Sequence, residues 1–494
     1  MLSTRPKVSL RSWTSLPHIS SILGTALHDI GGLDSIVHPG DTVVIKPNLT
    51  ADATPSSGGT TRPEVVEALI SHLVACQPSR VLIAEGTARF GTQQDTAFLN
   101  WGWREMAARA GVDLYNLDAG PHTERTVDNG HYPGSLPFSD LVYDADVFVS
   151  VPCLKTHISA DYTVALKNSY ALVPQWKRSE IHRQYLLEEA LADINTIRAP
   201  DLTIVDGWDG AEGVAGGVAF DRPAGARVVI VGQDTVAVDT VSRHVMSLTA
   251  PTRYLTWCCE RSVGEGDTER IDIVGDGLAQ CRHPFLSPCQ EVELKMPALS
   301  LCDLGACSGC RSAAASAAHR FAHQKLPSKI RIIFGADDAG YRPDAYQGTT
   351  LIVGDCAVES AKGLDGLYVP GCPCQPTAIV DALEASGAVC LQCRDLARHI
   401  VDALPERVTR NLRAVAAGKE VFHGDGVVRG TAHLQLIVGD CSRRYVESVR
   451  ERASQFSMDS ERDIVWVEGC PPSDGDLKAA TQAVLRAAGA ATMP

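Results

Sequence analysis

The sequence predicts an α/β protein in two parts. Residues 1–290 form an N-terminal α/β domain with a mostly parallel sheet, and two tandem α/β modules follow over 291–388 and 389–494. Three observations lead there. Short apolar strands alternate with helical stretches through the first half, the pattern of a parallel sheet with crossover helices. Fourteen of the sixteen cysteines fall after residue 250. The phrase "LIVGDC" occurs twice, ending at Cys356 and Cys441, and a Gly-Cys-Pro follows each copy, at Cys372 and Cys470.

Taken in order, residues 41–50, "DTVVIKPNLT", read as a buried strand that stops at Pro47 and opens a loop. "TTRPEVVEALISHLVAC" then places Thr and Pro at helix-start positions and spaces its apolar residues by three and four, as a helix does. "RVLIAEG" and "DADVFVSVP" are further short strands, each followed by a loop. "DLTIVDG" at 201–207 and "ARVVIVGQD" at 226–234 continue the alternation, with a helix from about Val236. From about 250 to 300 the text changes, and "CRHPFLSPCQEVELKMPALSLCDLG" reads as a connecting segment.

Composition narrows the function classes. A chain of 494 residues with 45% hydrophobic and 21% charged residues is a soluble globular type with room for a large core. No apolar run approaches the roughly 18 residues that span a bilayer. The N-terminus lacks a continuous hydrophobic segment, so a secretory leader is not expected and the cytoplasm is the expected location. A net charge of −14 argues against nucleic acid or an anionic membrane as partner. In a reducing cytosol, sixteen cysteines point to metal ligation or redox chemistry rather than disulfides.

The second half repeats itself. Each unit runs Cys-x-x-Cys, strand-Gly-Asp-Cys, strand-Gly-Cys-Pro, helix, and the copies are offset by 83, 85 and 98 residues at the three motifs. Near-equal offsets favour an internal duplication with an insertion before the last motif. The candidate ligands are Cys307, Cys310, Cys356 and Cys372 in the first copy, and Cys390, Cys393, Cys441 and Cys470 in the second. Four thiolates suit a [4Fe–4S] cluster or a structural zinc. Thiol–disulfide exchange at the Cys-x-x-Cys pairs is a further reading, although it leaves the other four cysteines without a role. Cys302 and Cys374 lie close enough in sequence to the first module to be alternative ligands, and Cys258, Cys259, Cys281 and Cys289 read as plain buried thiols.

The order of these motifs resembles the proximal-cluster pattern of the small subunit of nickel–iron hydrogenases, and it is similar to that of the cluster-bearing subunit of respiratory complex I. The resemblance covers roughly residues 300–490 and rests on motifs and their order. It implies two tandem flavodoxin-like α/β iron–sulfur modules carrying two [4Fe–4S] clusters, separate or joined as one double-cubane assembly. The chain departs from those subunits in having two copies and no sign of a nickel-bearing partner.

Five phrases of the first half, "VVIKPNL", "TTRPEVVEAL", "VPCLKTHISADYTVALKNSYALVP", "DLTIVDGWDGAEG" and "GQDTVAVDTV", resemble domain-of-unknown-function family 362 in the family's order. That resemblance spans roughly residues 5–280, with a more distant similarity to the fold of the nickel-pincer lactate racemases. It implies a fold and a site position, but little reaction chemistry.

The residues themselves describe a polar cleft. Lys46, Lys155, His157 and Lys167 are cations near strand ends, where ligands of parallel sheets gather, and they suit the carboxylate or phosphate of a small anionic substrate. Asn48, Arg62, Glu85, Thr156, Asn168 and Glu212 are candidate substrate-binding groups. Asp206, with Asp234 and Asp239 further along, offers general acid–base or counter-charge chemistry, and His157 is the leading proton carrier. A lone Lys or Asp at a strand end is commonly a solvated residue, but Lys155, Thr156 and His157 follow one another directly. The glycines of "AEGVAGGVAF" lack the spacing of an NAD, flavin or ATP fingerprint.

The expectation is an iron–sulfur-dependent redox enzyme carrying out a low-potential reduction or an electron-coupled rearrangement of a small anion, with a ferredoxin-like donor. A homodimer is a candidate assembly. Two rival readings are a non-redox lyase or isomerase using a cluster as Lewis acid, and an electron carrier without a substrate of its own.

Overall fold

The computed structural model describes residues 5–50, 53–86, 98, 101–214, 222–248, 251–319, 329–336, 346–386, 400–410, 412–416, 419–423, 434–438, 450, 464–467 and 474–488. The chain divides into two compact units. The first holds Met1–Ala215, Arg222–Pro288 and Cys307–Gly309, and the second Gly216–Asp221, Cys289–Ala306 and Cys310–Pro494.

The first unit is a mixed α/β layer structure on one large sheet. Its strands are β1 (Lys7–Ser12), β2 (Thr42–Pro47), β3 (Arg80–Glu85), β4 (Asp113–Asn116), β5 (His122–Arg125), β6 (Leu136–Ser139), β7 (Val147–Val151), β8 (Cys153–His157), β9 (Asp161–Thr163), β10 (Leu202–Ala211), β11 (Val228–Gly232) and β12 (Asp272–Gly275). The sheet order is β12-β1-β11-β10-β7-β2-β3-β4, with β8 and β9 branching from β10, while β5 and β6 pair apart. The run β10-β7-β2-β3-β4 is parallel throughout. Only β11 breaks the sense within the main path, running antiparallel to both β1 and β10.

Alternation along β2 explains the two layers. Val43 and Ile45 face a core shared with the helices Ile19–Asp29, Pro63–Leu73 and Trp103–Ala110. Val44 faces the opposite core, shared with Leu187–Ile197, Thr235–Val245 and Arg253–Glu260. A strand covered on both faces reads as a continuous apolar run, as "VVI" does. Each such Val or Ile, fully buried, contributes roughly 1.5–3 kcal/mol. Pro63 opens its helix at the first position, where a missing N–H costs nothing.

Two departures from the sequence reading place the site. Lys155 and His157 lie on a strand, β8, rather than in a loop. Pro152 separates β7 from β8, and its carbonyl accepts the Asp206 N–H at 2.8 Å, so β10 pairs first with β7 and then with β8. The stretch 250–300 is likewise not a mere connector. It holds the helix Pro288–Lys295 and the strand β13 (Leu299–Leu304), which starts the next sheet; its alternating polar residues and cysteine hid it.

The second unit carries two further sheets. The first, β13-β14-β15-β16, adds β14 (Ile330–Gly335), β15 (Thr349–Val353) and β16 (Leu367–Val369), all parallel. The second has the order β18-β17-β19-β20, with β17 (Leu412–Ala416), β18 (Lys419–His423), β19 (Leu434–Val438) and β20 (Ile464–Val467). Here β17, β19 and β20 are parallel and β18 is antiparallel. The two sheets share a register: Val353 pairs with Val369 and Phe334, as Val438 pairs with Val467 and Ala416. Among the described residues no helix is long and apolar enough to cross a membrane.

Candidate functional site

The carboxyl ends of β2, β3 and β10, together with β8, converge on a buried polar cluster in the first unit. Lys46, near the end of β2, is its hub. Its Nζ donates to Glu85 Oε2, Asn168 Oδ1 and the Pro47 carbonyl, each at 3.0 Å. Glu85 closes β3 and is itself saturated, taking the Leu49 N–H at 3.0 Å and the Gly86 N–H at 2.8 Å. Asn168 bridges the strands, since its Nδ2 donates to Ser150 Oγ at 2.9 Å and to the Lys46 carbonyl at 3.2 Å. Asn48 Nδ2 reaches Asn168 Oδ1 at 3.3 Å, while Asn48 Oδ1 is buried without a hydrogen bond.

Lys155, on β8, is 3% exposed, and its Nζ donates to the Gly59 carbonyl at 2.7 Å and to Thr50 Oγ1 at 3.2 Å. Gly58 makes that loop approach possible. Its φ is +70°, and a Cβ there would stand 2.2 Å from the backbone of Gly210. The Gly58 carbonyl accepts the thiol of Cys153 at 3.1 Å. Thr156 turns away and anchors β8 to the Gly213 carbonyl at 2.8 Å. His157 Nδ1 accepts the Ser159 N–H at 3.0 Å, which leaves the ring proton on Nε2.

The electrostatics are those of crowded cations. Burial lowers Lys155 to about 8. Lys167 goes down to about 7, through burial and then the charges of Lys155, Arg178 and Lys46. Burial, then Lys167, His182 and Lys155, hold His157 well below its ordinary value, so it is neutral. Lys46 is also lowered by burial, with Glu85 opposing. Lys167 differs from the other two lysines: it is half-buried, and among the described residues its contact is the face of Tyr170, 5.2 Å away.

The remaining candidates divide. Asp206 takes the Arg62 N–H at 2.8 Å and the Trp208 N–H at 3.1 Å, and burial raises it to about 6. Arg62 spends its guanidinium on Asp209. Glu212 is tied to Arg222 at 3.2 Å and to the Leu286 N–H at 2.9 Å. Asp234 caps the helix Thr235–Val245 through the Ala237 N–H. His182 and Arg178, absent from the sequence candidates, enter from the helix Gln175–Gln184. Burial, then Lys167 and Arg178, lower His182 to about 4. Arg178 is paired with Asp118 at 3.1 Å.

The cysteine loops of the second unit have their own geometry. Cys356 and Cys372 each follow, by three residues, a pair of facing valines, Val353 and Val369, at the carboxyl edge of one parallel sheet. Gly354, with φ +89°, lies under the thiols: a Cβ there would stand 3.1 Å from Cys310 Sγ and 3.9 Å from Cys356 Sγ. Asp355 accepts the Tyr368 hydroxyl at 2.5 Å and the Gly371 N–H at 2.8 Å, and so ties the two loops. Cys372 is exposed and Cys374 buried. The donor set is thus chemically suited to a thiolate-held cluster. Among the described residues, however, no three His, Cys, Asp or Glu side chains are gathered for a metal ion. Cys307 belongs with the first unit, where the next N–H, of Ser308, donates to Glu188 at 2.9 Å. Cys390, Cys393, Cys441 and Cys470 lie outside the described residues.

Residues 43–244 match the family described as Domain of unknown function (DUF362). A Thylakoid-associated protein of Synechocystis sp. is 28% identical over 251 residues, which is 50% of this chain and 75% of that protein. Among solved structures, the lactate racemase apoprotein from Thermoanaerobacterium thermosaccharolyticum aligns over 67% of this chain and 70% of its own, at 13% identity and a TM-score of 0.32.

Proposed function

We propose that this protein is an iron–sulfur-dependent enzyme that binds a small anion in the first unit and carries out a low-potential reduction or electron-coupled rearrangement of it. One observation carries the binding half. Lys155 and Lys46 lower the proton affinity of Lys167, Lys46 lowers that of Lys155, and Glu85 is already committed to Lys46. A bound carboxylate or phosphate would relieve that repulsion, and the loss of water would strengthen each contact. Lys155 would hold the anion, neutral His157 would offer its Nε2–H as a hydrogen-bond donor, and Lys167 would move a proton near neutral pH.

The redox half is supported by the thiols beside Gly354 and by the shared register of the two sheets. In this reading Cys307, Cys310, Cys356 and Cys372 hold one [4Fe–4S] cluster in a flavodoxin-like module, and Cys390, Cys393, Cys441 and Cys470 hold the other. A cluster held by four thiolates supplies one-electron transfer. A ferredoxin-like protein would then be the donor.

A second reading, an isomerase or lyase working by acid–base chemistry alone, is favoured by Lys167, which lies near 7. Iron, acid-labile sulfide and EPR on protein purified without oxygen decide between them. About eight irons per chain with a reducible signal support the redox enzyme. Zinc without sulfide, or no metal, leaves the acid–base reading.

A further inference from the structure

We infer that the Lys167 amine is the covalent nucleophile of this site and forms an imine with the carbonyl carbon of a 2-oxo acid whose carboxylate is held by Lys155. This rests on the small-anion reading above and names its substrate class.

Three amines share the site, and their surroundings assign them different work. Lys46 makes bonds at 3.0 Å to Glu85, Asn168 and the Pro47 carbonyl and is 1% exposed, so it cannot swing toward a ligand. Lys155 is 3% exposed and donates to the Gly59 carbonyl and Thr50. It can offer charge, but its nitrogen is fixed. Lys167 alone among the three is half-buried, and among the described residues it has neither a hydrogen bond nor an ion pair, only the face of Tyr170 at 5.2 Å. It is held in place from behind: the next residue, Asn168, is clamped to Lys46 and Ser150, and the start of its short helix, Ala165–Asn168, is bonded to Asp239 at 2.8 Å. The result is an amine without a polar partner among the described residues, on a rigid base.

Chemistry agrees with the placement. An imine-forming lysine must be unprotonated near neutral pH, and burial beside other cations is one route to that state. Lys167 has both, with Lys155, Arg178 and Lys46 as the neighbouring charges. The step balances without any co-reactant. The nitrogen lone pair attacks the carbonyl carbon, and the carbinolamine then expels the former carbonyl oxygen. That oxygen leaves as water with the two amine hydrogens, and a C=N bond remains. A 2-oxo acid fits because its carboxylate adjoins its carbonyl, so one small molecule can meet both a fixed cation and an amine that has no polar partner among the described residues.

The test uses the full chain with glyoxylate and borohydride, followed by peptide mass mapping, and oxalate titration by calorimetry on the same protein. The expected result is a reduced glyoxylate adduct at Lys167, formed at least tenfold faster than at exposed Lys362, absent in Lys167→Arg, and rising with pH through about 7. Oxalate, which offers carboxylates and no reactive ketone or aldehyde, should slow the trapping. If oxalate binds and Lys167 is labelled no faster than Lys362, the imine is overturned and the anion site stands. If oxalate fails to bind and no adduct forms, both are overturned.

Discussion

Lys46 Nζ lies 2.8 Å from Glu85 Oε1, and the two side chains, on adjacent parallel strands, are 1% and 3% exposed. An ion pair this deep is kept by its mutual attraction and by the amide and carbonyl groups around it, and breaking one side strands a charge. Glu85 also fixes the turn after β2 through the Leu49 N–H, so this pair shapes the loop that the substrate would meet.

Glu85→Ala should therefore destabilise the fold by about 3–5 kcal/mol, because it leaves Lys46 charged and uncompensated. Lys46→Met should cost a similar amount. The double variant should be more stable than the sum of the two predicts, by about 0.5–3 kcal/mol. Urea unfolding of the four proteins measures this. Strict additivity would show that the two groups do not act as a pair.

Anion binding should weaken as pH rises. Lys155 and Lys167 lose their protons at about 8 and about 7, so oxalate affinity should fall progressively between pH 6 and 9. The stability of the free protein should move the other way. Both lysines are lowered in the folded state, so between those values and 10.5 the unfolded chain binds more protons and folding gains with pH. Calorimetric titration and thermal unfolding across this range check the opposed signs. An affinity independent of pH would remove these lysines from the binding step.

Much of this arrangement was legible in the sequence because parallel sheets deliver chemistry at strand ends. Lys46, Glu85 and Asp206 follow from where their apolar runs stop. Glu212 was a candidate from the sequence, but its partners, Arg222 and the backbone of Leu286, were not visible there, since no local pattern announces a contact 74 residues away. His182 and Arg178 were equally hidden, since the helix Gln175–Gln184 buries only Ile181 and reads as an ordinary solvated surface. The strand β8 was masked by Pro152, which looks like a strand end when it is a joint between two strands.

Asp239 should prove a positioning residue. Its Oδ1 takes the Ala165 N–H at 2.8 Å, ahead of Lys167 and Asn168, while Oδ2 is buried without a hydrogen bond. Asp239→Ala should cost about 1 kcal/mol or more for the lost cap and lower oxalate affinity. Asp239→Asn, which keeps an acceptor oxygen, should retain most of that affinity. Burial raises this carboxyl to about 8 from 3.8, so the unfolded chain sheds its proton first, and the group's contribution to stability falls as pH rises from about 4 to about 8. The Asn variant should lack that slope in thermal unfolding. An equal loss of affinity in both variants would mean that the carboxyl group itself, not the cap, matters.

The two cysteine modules should behave alike, because the strands that lead to them pair in the same register. Cys356 and Cys372 stand three residues beyond the paired Val353 and Val369, and Cys441 and Cys470 stand three beyond the paired Val438 and Val467. If each module holds its own cluster, Cys356→Ser and Cys441→Ser should each remove about half of the iron and sulfide from anaerobically purified protein. A joined assembly would instead lose nearly all of it to either substitution. Gly354→Ala gives an independent check that leaves every thiol in place. At φ +89° the new methyl would be strained and 3.1 Å from Cys310 Sγ, so it should lower iron content in the first module only. Full iron in Gly354→Ala and in both serine variants would show that these loops serve the fold rather than a cluster.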